Sequence, residues 1–151
     1  MAIKASFSYD AVPELSQREL RRLVVDSLKE ALTIWRKDIQ GKHFKDSAVS
    51  EYNYQKRARG YQIKKAKRTG QTAPLVFSGK SKRSALSSDK MTVNGNQVTL
   101  SISVPDYFAY VKKNHPDLAK ELTIVTDEEM KFLYENMEKF LKRRVDNHLN
   151  R

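Results

Sequence analysis

Thr92-Val93-Asn94-Gly95-Asn96-Gln97-Val98-Thr99-Leu100-Ser101-Ile102-Ser103-Val104 is the stretch that decides the fold. Its Asn94-Gly95 pair is flanked by strand formers and is a strong local hairpin signal, because both residues tolerate the positive φ of a type I′ turn. Beyond the turn Val98, Leu100, Ile102 and Val104 alternate with Thr99, Ser101 and Ser103, so one face of the second strand is buried and the other is wet. Pro105 stops the ladder.

Helices on either side supply the cover for that face. Leu15-Ser16-Gln17-Arg18-Glu19-Leu20 reads as a helix start, with Ser16 and Glu19 as capping box and Leu15 and Leu20 as hydrophobic staple. Leu20, Leu23, Val24, Leu28, Ala31, Leu32 and Trp35 then recur at three- and four-residue steps, one apolar stripe on a helix ending near Gly41. The C-terminal end repeats this grammar: Thr126 and Glu129 as box, Val125 and Met130 as staple, and Met130, Leu133, Met137, Phe140, Leu141, Val145 and Leu149 as the buried stripe. Asp127, Glu128 and Glu129 crowd its first turn while Lys142, Arg143 and Arg144 lie towards its end, matching the helix dipole. Between hairpin and last helix, Asp106 to Asn114 reads as a short helix or turn carrying Tyr107, Phe108, Tyr110 and Val111, and Thr123-Ile124-Val125 as a last short strand. The expected fold is therefore α+β, a single domain over 1–151 in which two amphipathic helices pack on a small antiparallel sheet.

The middle of the chain is different. From Lys42 to Lys90 there are thirteen Lys and Arg against Asp46, Glu51 and Asp89, which places +10 of the +11 net charge in one third of the sequence. Such a segment must be solvated or neutralised by an anionic partner. Tyr54, Ala58 and Tyr61 have helical spacing, but Gly60 interrupts a thin apolar face, so residues 42–74 are expected to form a long basic insertion, a marginal helix or extended arm. Leu75-Val76-Phe77 is a short apolar clip, and Ser78-Gly79 a turn.

Composition narrows the classes. A chain of 151 residues with 39% hydrophobic content supports one core and not two. It has no cysteine, hence no disulfide or thiolate metal site, which suits a reducing compartment. Met1 to Val12 alternates apolar with polar residues and lacks the apolar run of a secretion signal, and no stretch approaches the eighteen apolar residues of a membrane span.

Ser78-Gly79-Lys80-Ser81 invites comparison with a phosphate-binding loop, but the first glycine of that pattern falls on Pro74, which has no amide hydrogen, and no strand precedes it. His43, His115 and His148 are widely separated and none has a ligand partner at helical spacing, so no metal site is expected. There is no nucleophile elbow and no visible pair of converging carboxylates, and neither a catalytic residue nor a cofactor or small-molecule substrate is expected.

Tyr52, Tyr54 and Tyr61 interleave with Lys56, Arg57, Arg59, Lys64, Lys65, Lys67 and Arg68. Two readings fit that composition: a nucleic-acid groove, with cations for phosphates and aromatic faces for bases, or an arm whose Tyr and Arg anchor on a neighbouring subunit. In either case the expected contact residues are Tyr54, Arg57, Arg59, Tyr61, Lys64, Lys65, Lys67 and Arg68 in the arm, and Phe77, Lys80, Lys82 and Arg83 at the turn.

The order of these parts resembles the tail-completion or virion-morphogenesis proteins of tailed bacteriophages, a family that includes minor tail and neck components. Leu20 to Trp35 resembles their first helix, Leu75 to Ser84 their glycine-basic turn, Met91 to Val104 their hairpin, Tyr107-Phe108-Ala109-Tyr110 their aromatic segment and Thr126 to Val145 their closing helix. Ser81 stands where those proteins usually carry leucine, and Glu121-Leu122-Thr123-Ile124-Val125 replaces their Pro-Arg-Phe type of approach to the last helix. The resemblance implies a structural virion role, as a ring of copies, sixfold, at the head-proximal end of the tail or in the neck. Implied partners are tail-tube and head-neck proteins and DNA in the channel, met after assembly in the host cytoplasm. The alternative is a stand-alone basic nucleic-acid-binding protein.

Overall fold

The computed structural model describes residues 1–77, 79–87, 90–110 and 115–150. Its sheet has three strands, β1 (Ala2–Ser6), β2 (Met91–Asn94) and β3 (Gln97–Ser101), in the order β1-β3-β2 with both pairings antiparallel. Leu100 pairs with Ile3 on one side and Met91 on the other, and Val98 with Ala5 and Val93, so the apolar residues of all three strands share one face. The alternation in the hairpin thus sets the wet and dry faces as expected. The same alternation at the N-terminus, read only as excluding a secretion signal, is a strand that completes the sheet. The hairpin loop is Gly95-Asn96, and only Gly95 has a positive φ, +59°. That is the pattern of a type II′ turn rather than the expected type I′.

Helix α1 (Gln17–Asp38) begins with the expected capping box: the Glu19 amide donates to Ser16 Oγ at 3.2 Å and the Ser16 amide to Glu19 Oε2 at 3.1 Å. It packs against β3 on one side and, most extensively, against the last helix on the other. Its stripe from Leu20 to Trp35 is buried, and the buried Ser27 is satisfied by donating to the Leu23 carbonyl. A 3-10 turn (Gln40–Phe44) and α2 (Ala48–Glu51) follow.

The charged middle, expected to be a marginal helix or an extended arm, is folded and contains a helix. After α2 come α3 (Arg59–Thr69), closed by Gly70 in the left-handed region at φ +66°, and α4 (Lys80–Ser87). His43, Phe44, Ala48, Tyr52, Tyr54, Leu75 and Val76 all belong to the core, so residues 42–54 and the clip are built into the domain. The reason is aromatic burial, which a net-charge argument overlooks. Ser78 of the expected turn lies outside the described residues, as do Val111 to Asn114 of the expected aromatic helix, whose first part is a 3-10 turn (Asp106–Ala109).

Near the C-terminus α5 (Leu118–Leu122) comes before the stretch expected as a short strand, which is not one. Thr123 ends α5 with its amide on the Lys120 and Glu121 carbonyls, and Ile124 and Val125 lead directly into α6 (Asp127–Leu149). Thr126 caps α6, accepting from the Glu129 amide at 3.2 Å. Leu133, Met137 and Phe140 are buried, while Met130 (55% exposed) and Leu149 (46%) are not. Arg143 and Arg144 both reach Glu30 of α1, at 3.0 and 2.8 Å. The fold is mixed α+β, several helices on a small open antiparallel sheet.

Candidate basic aromatic groove

A buried aromatic cluster anchors the basic segment. Asn53, at φ +49°, sits in the left-handed region that asparagine tolerates. The rings on either side of it, Tyr52 and Tyr54, stack at 5.6 Å. His43 lies on Tyr52 with ring centroids 3.9 Å apart, and its Nδ1 shares a hydrogen bond with the Tyr54 hydroxyl. The Tyr52 hydroxyl donates to Glu129 at the start of α6, a carboxylate expected to close the capping box and instead drawn 77 residues across the fold. Burial lowers the His43 pKa to about 4, opposed in part by the nearby Glu121 backbone, and the ring is neutral in the folded protein. Burial also raises both tyrosine hydroxyls above their ordinary value, so they stay protonated donors.

A second anchor fixes the approach to α3. Arg57 makes a two-pronged ion pair with Glu121 of α5, Nη1 to Oε1 at 2.7 Å and Nη2 to Oε2, and the Gln55 amide adds a bond to Oε1 at 3.1 Å. Both side chains are less than a tenth exposed. Within α3, Lys65 is buried and its Nζ donates to the Ala73 carbonyl. Burial, with the neighbouring Arg57 charge, lowers its pKa, against a smaller opposing pull from Asp46. Ser81, 0% exposed, donates to the Leu75 carbonyl at 2.8 Å and ties α4 to the clip, a bond that leucine at this position would lose.

These anchors shape a groove of about 580 Å³ between α3, the clip, Tyr107, Tyr110 and residues 115–118. Tyr61, Phe77, Tyr107 and Tyr110 give it aromatic walls, and Lys56 and Lys65 bring positive charge to its lining, while the Arg57 charge is balanced by Glu121. Tyr61 (50%), Tyr107 (40%) and Tyr110 (70%) are open to solvent, and the Arg68 guanidinium lies over the Phe77 ring at 5.8 Å. Outside it, Arg59, Lys64, Lys67, Lys80, Lys82 and Arg83 are exposed, with no carboxylate among the described residues in ion-pair reach. A surface of this make-up suits an anionic partner that also offers flat or apolar groups.

Of the expected contact residues, Arg59, Tyr61, Lys64, Lys67, Arg68, Lys80, Lys82 and Arg83 are therefore at the surface, and Phe77 is half-buried. Tyr54 and Lys65 are not: both are buried, and Arg57 is committed to Glu121. Tyr54 fills the core because the alternate spacing of Tyr52 and Tyr54 turns both rings inward. Sequence reasoning missed Tyr107, Tyr110 and His115 as groove residues, and only the cluster of aromatics at 107–110 hinted at them.

A hollow of opposite sign, about 510 Å³, opens at the start of α6 and is lined by Lys42, Glu51, Asp127, Glu128, Glu129 and Phe132 among others. Among the described residues no set of three His, Asp or Glu side chains converges as metal ligands, and no helix is long and apolar enough to cross a membrane. No protein-family model, curated protein or solved structure matches the chain.

Proposed function

We propose that this chain is a structural, non-catalytic virion protein of a tailed phage, a tail-completion or neck component that works as a ring of copies, sixfold, between tail-tube and head-neck proteins. One observation carries the reading: an open aromatic groove lies beside α3, whose exposed cations Arg59, Lys64 and Lys67 have no ion-pair partner among the described residues, a surface that in an isolated molecule is self-repelling and half-wetted. Such a surface is stabilised when a neighbour supplies carboxylates and apolar groups. The order of the parts, helix, basic segment, glycine-basic turn, hairpin, aromatic segment and closing helix, supports the phage assignment by resemblance.

The second reading, a stand-alone nucleic-acid-binding protein, draws on the same groove, since cations beside exposed tyrosines are what single strands use for phosphates and bases. Arg57 and Lys65, engaged within the fold, are lost to either kind of partner.

A nonsense codon in the gene for this chain, in the phage genome that carries it, tests the proposal. The expected lysate contains filled heads and separate tails, with tails of irregular length if the ring ends tube growth. A lysate of normal, infectious particles would refute it.

A further inference from the structure

We propose that the groove receives the outward face of α6 from a second copy of this chain, so that copies join head to tail. The inference rests on the ring reading above and names its two surfaces.

Asp127, Met130, Lys131, Tyr134 and Glu138 fall on one face of the first three turns of α6, spaced by three or four residues. This face points away from the core, which α6 contacts through Leu133, Met137 and Phe140. Met130 and Tyr134 are 55% and 53% exposed, two large apolar side chains one turn apart that no element of the fold covers, although Phe7 stacks on one side of the Tyr134 ring. Asp127 and Glu138 bracket them with negative charge, reinforced by Glu128 and Glu135 at the border. Lys131 is the one cation on this face, and it leans 3.9 Å from Glu135.

The groove is its counterpart. It offers aromatic walls for Met130 and Tyr134, with the exposed Lys56 in its lining and the Arg68 guanidinium over its Phe77 wall as cations for Asp127 and Glu138. Opposed potentials of this kind fix orientation and reject like-charged surfaces. The two patches share no residue, so one molecule presents both at once. A patch that binds a different patch on an identical copy makes a heterologous contact, which closes into a ring when the rotation permits.

The chain has no cysteine, so engineered thiols report this contact alone. Tyr61→Cys and Met130→Cys change exposed side chains and leave the core intact. Mixed and oxidised, the two variants should form a disulfide-linked heterodimer about tenfold above the exposed-pair control of Tyr61→Cys with Lys139→Cys, and the double variant a ladder of higher multimers. Adding Asp127→Arg and Glu138→Arg to the Met130→Cys chain should reduce the heterodimer to the control level. Heterodimer no higher than control overturns the proposal. So does shielding of the Tyr61→Cys thiol by a random oligonucleotide without capture of Met130→Cys, which would assign the groove to nucleic acid. Rings seen by electron microscopy without the crosslink would sink this contact and leave the ring standing. A crosslinked ladder from a chain that is dispensable for particle formation would keep the contact and sink the virion role.

Discussion

Arg57 and Glu121 grip each other with two parallel hydrogen bonds, and both are shielded from water. The pair joins the segment entering α3 to the helix before α6, so one of the anchors that shape the groove is an ion pair between residues 64 apart in sequence. Its two-pronged geometry offsets desolvation that would otherwise be unfavourable.

Removing one partner should be severe. Glu121→Ala leaves a buried guanidinium without a counter-charge and should lower unfolding free energy by about 3–5 kcal/mol. The double change Arg57→Met with Glu121→Leu should recover most of that loss. Urea denaturation of the three proteins checks both statements, and equal stability of Glu121→Ala and the parent would contradict them.

His43 makes stability depend on pH. The folded ring holds off its proton until about pH 4, whereas in the unfolded chain it titrates near 6.5. Between these values the unfolded state binds more protons, so this contribution is full above pH 6.5, declines as pH falls towards 4, and levels off below, amounting to about 3 kcal/mol. His43→Phe keeps a stacking ring without the titration. Urea midpoints measured across that window should slope less steeply in the variant, and parallel slopes would count against the assignment.

The two kinds of lysine in α3 should separate. Reversing Lys64, Lys67 and Arg68 to Glu alters exposed side chains and should leave the melting temperature within a few degrees while abolishing assembly. Lys65→Glu, by contrast, sets a buried carboxylate against the Ala73 carbonyl and should cost several kcal/mol of stability. Thermal melts with an assembly assay on both variants decide this, and a stable Lys65→Glu protein or a fully assembling triple reversal would be contrary results.

Much of the frame was legible because it rests on periodicity. Alternation at Val98, Leu100 and Ile102 and the three-four spacing of Leu20 to Trp35 report burial directly, and Ser16 and Glu19 cap as their spacing suggests. Two ends misled. Met130 carries the pattern of a core residue yet faces out, since periodicity marks an apolar stripe but not which edge of it meets the core. Met1 to Ser6 alternates in a run too short to stand out without its partner strand.

The basic segment was less legible because its structure comes from contacts distant in sequence. Tyr52 is held by Glu129, and Arg57 by Glu121, neither of which any local pattern announces. Counting charge picked out the exposed residues Arg59, Lys64, Lys67 and Arg68, and it hid the aromatic core at His43, Phe44, Tyr52 and Tyr54 upstream of them. Exposure of Tyr107 and Tyr110 was illegible for the same reason: their side of the groove is defined by α3 and the clip, 30 residues and more upstream.

The central claim is that this cationic, aromatic surface is completed by protein neighbours in a virion ring. Electron-microscopic reconstruction of the particle that carries the chain tests it most directly. The expected map places a ring of copies where head meets tail, with the groove of each copy covered by its neighbour. Intact particles lacking the chain, or a groove facing only DNA, would contradict it.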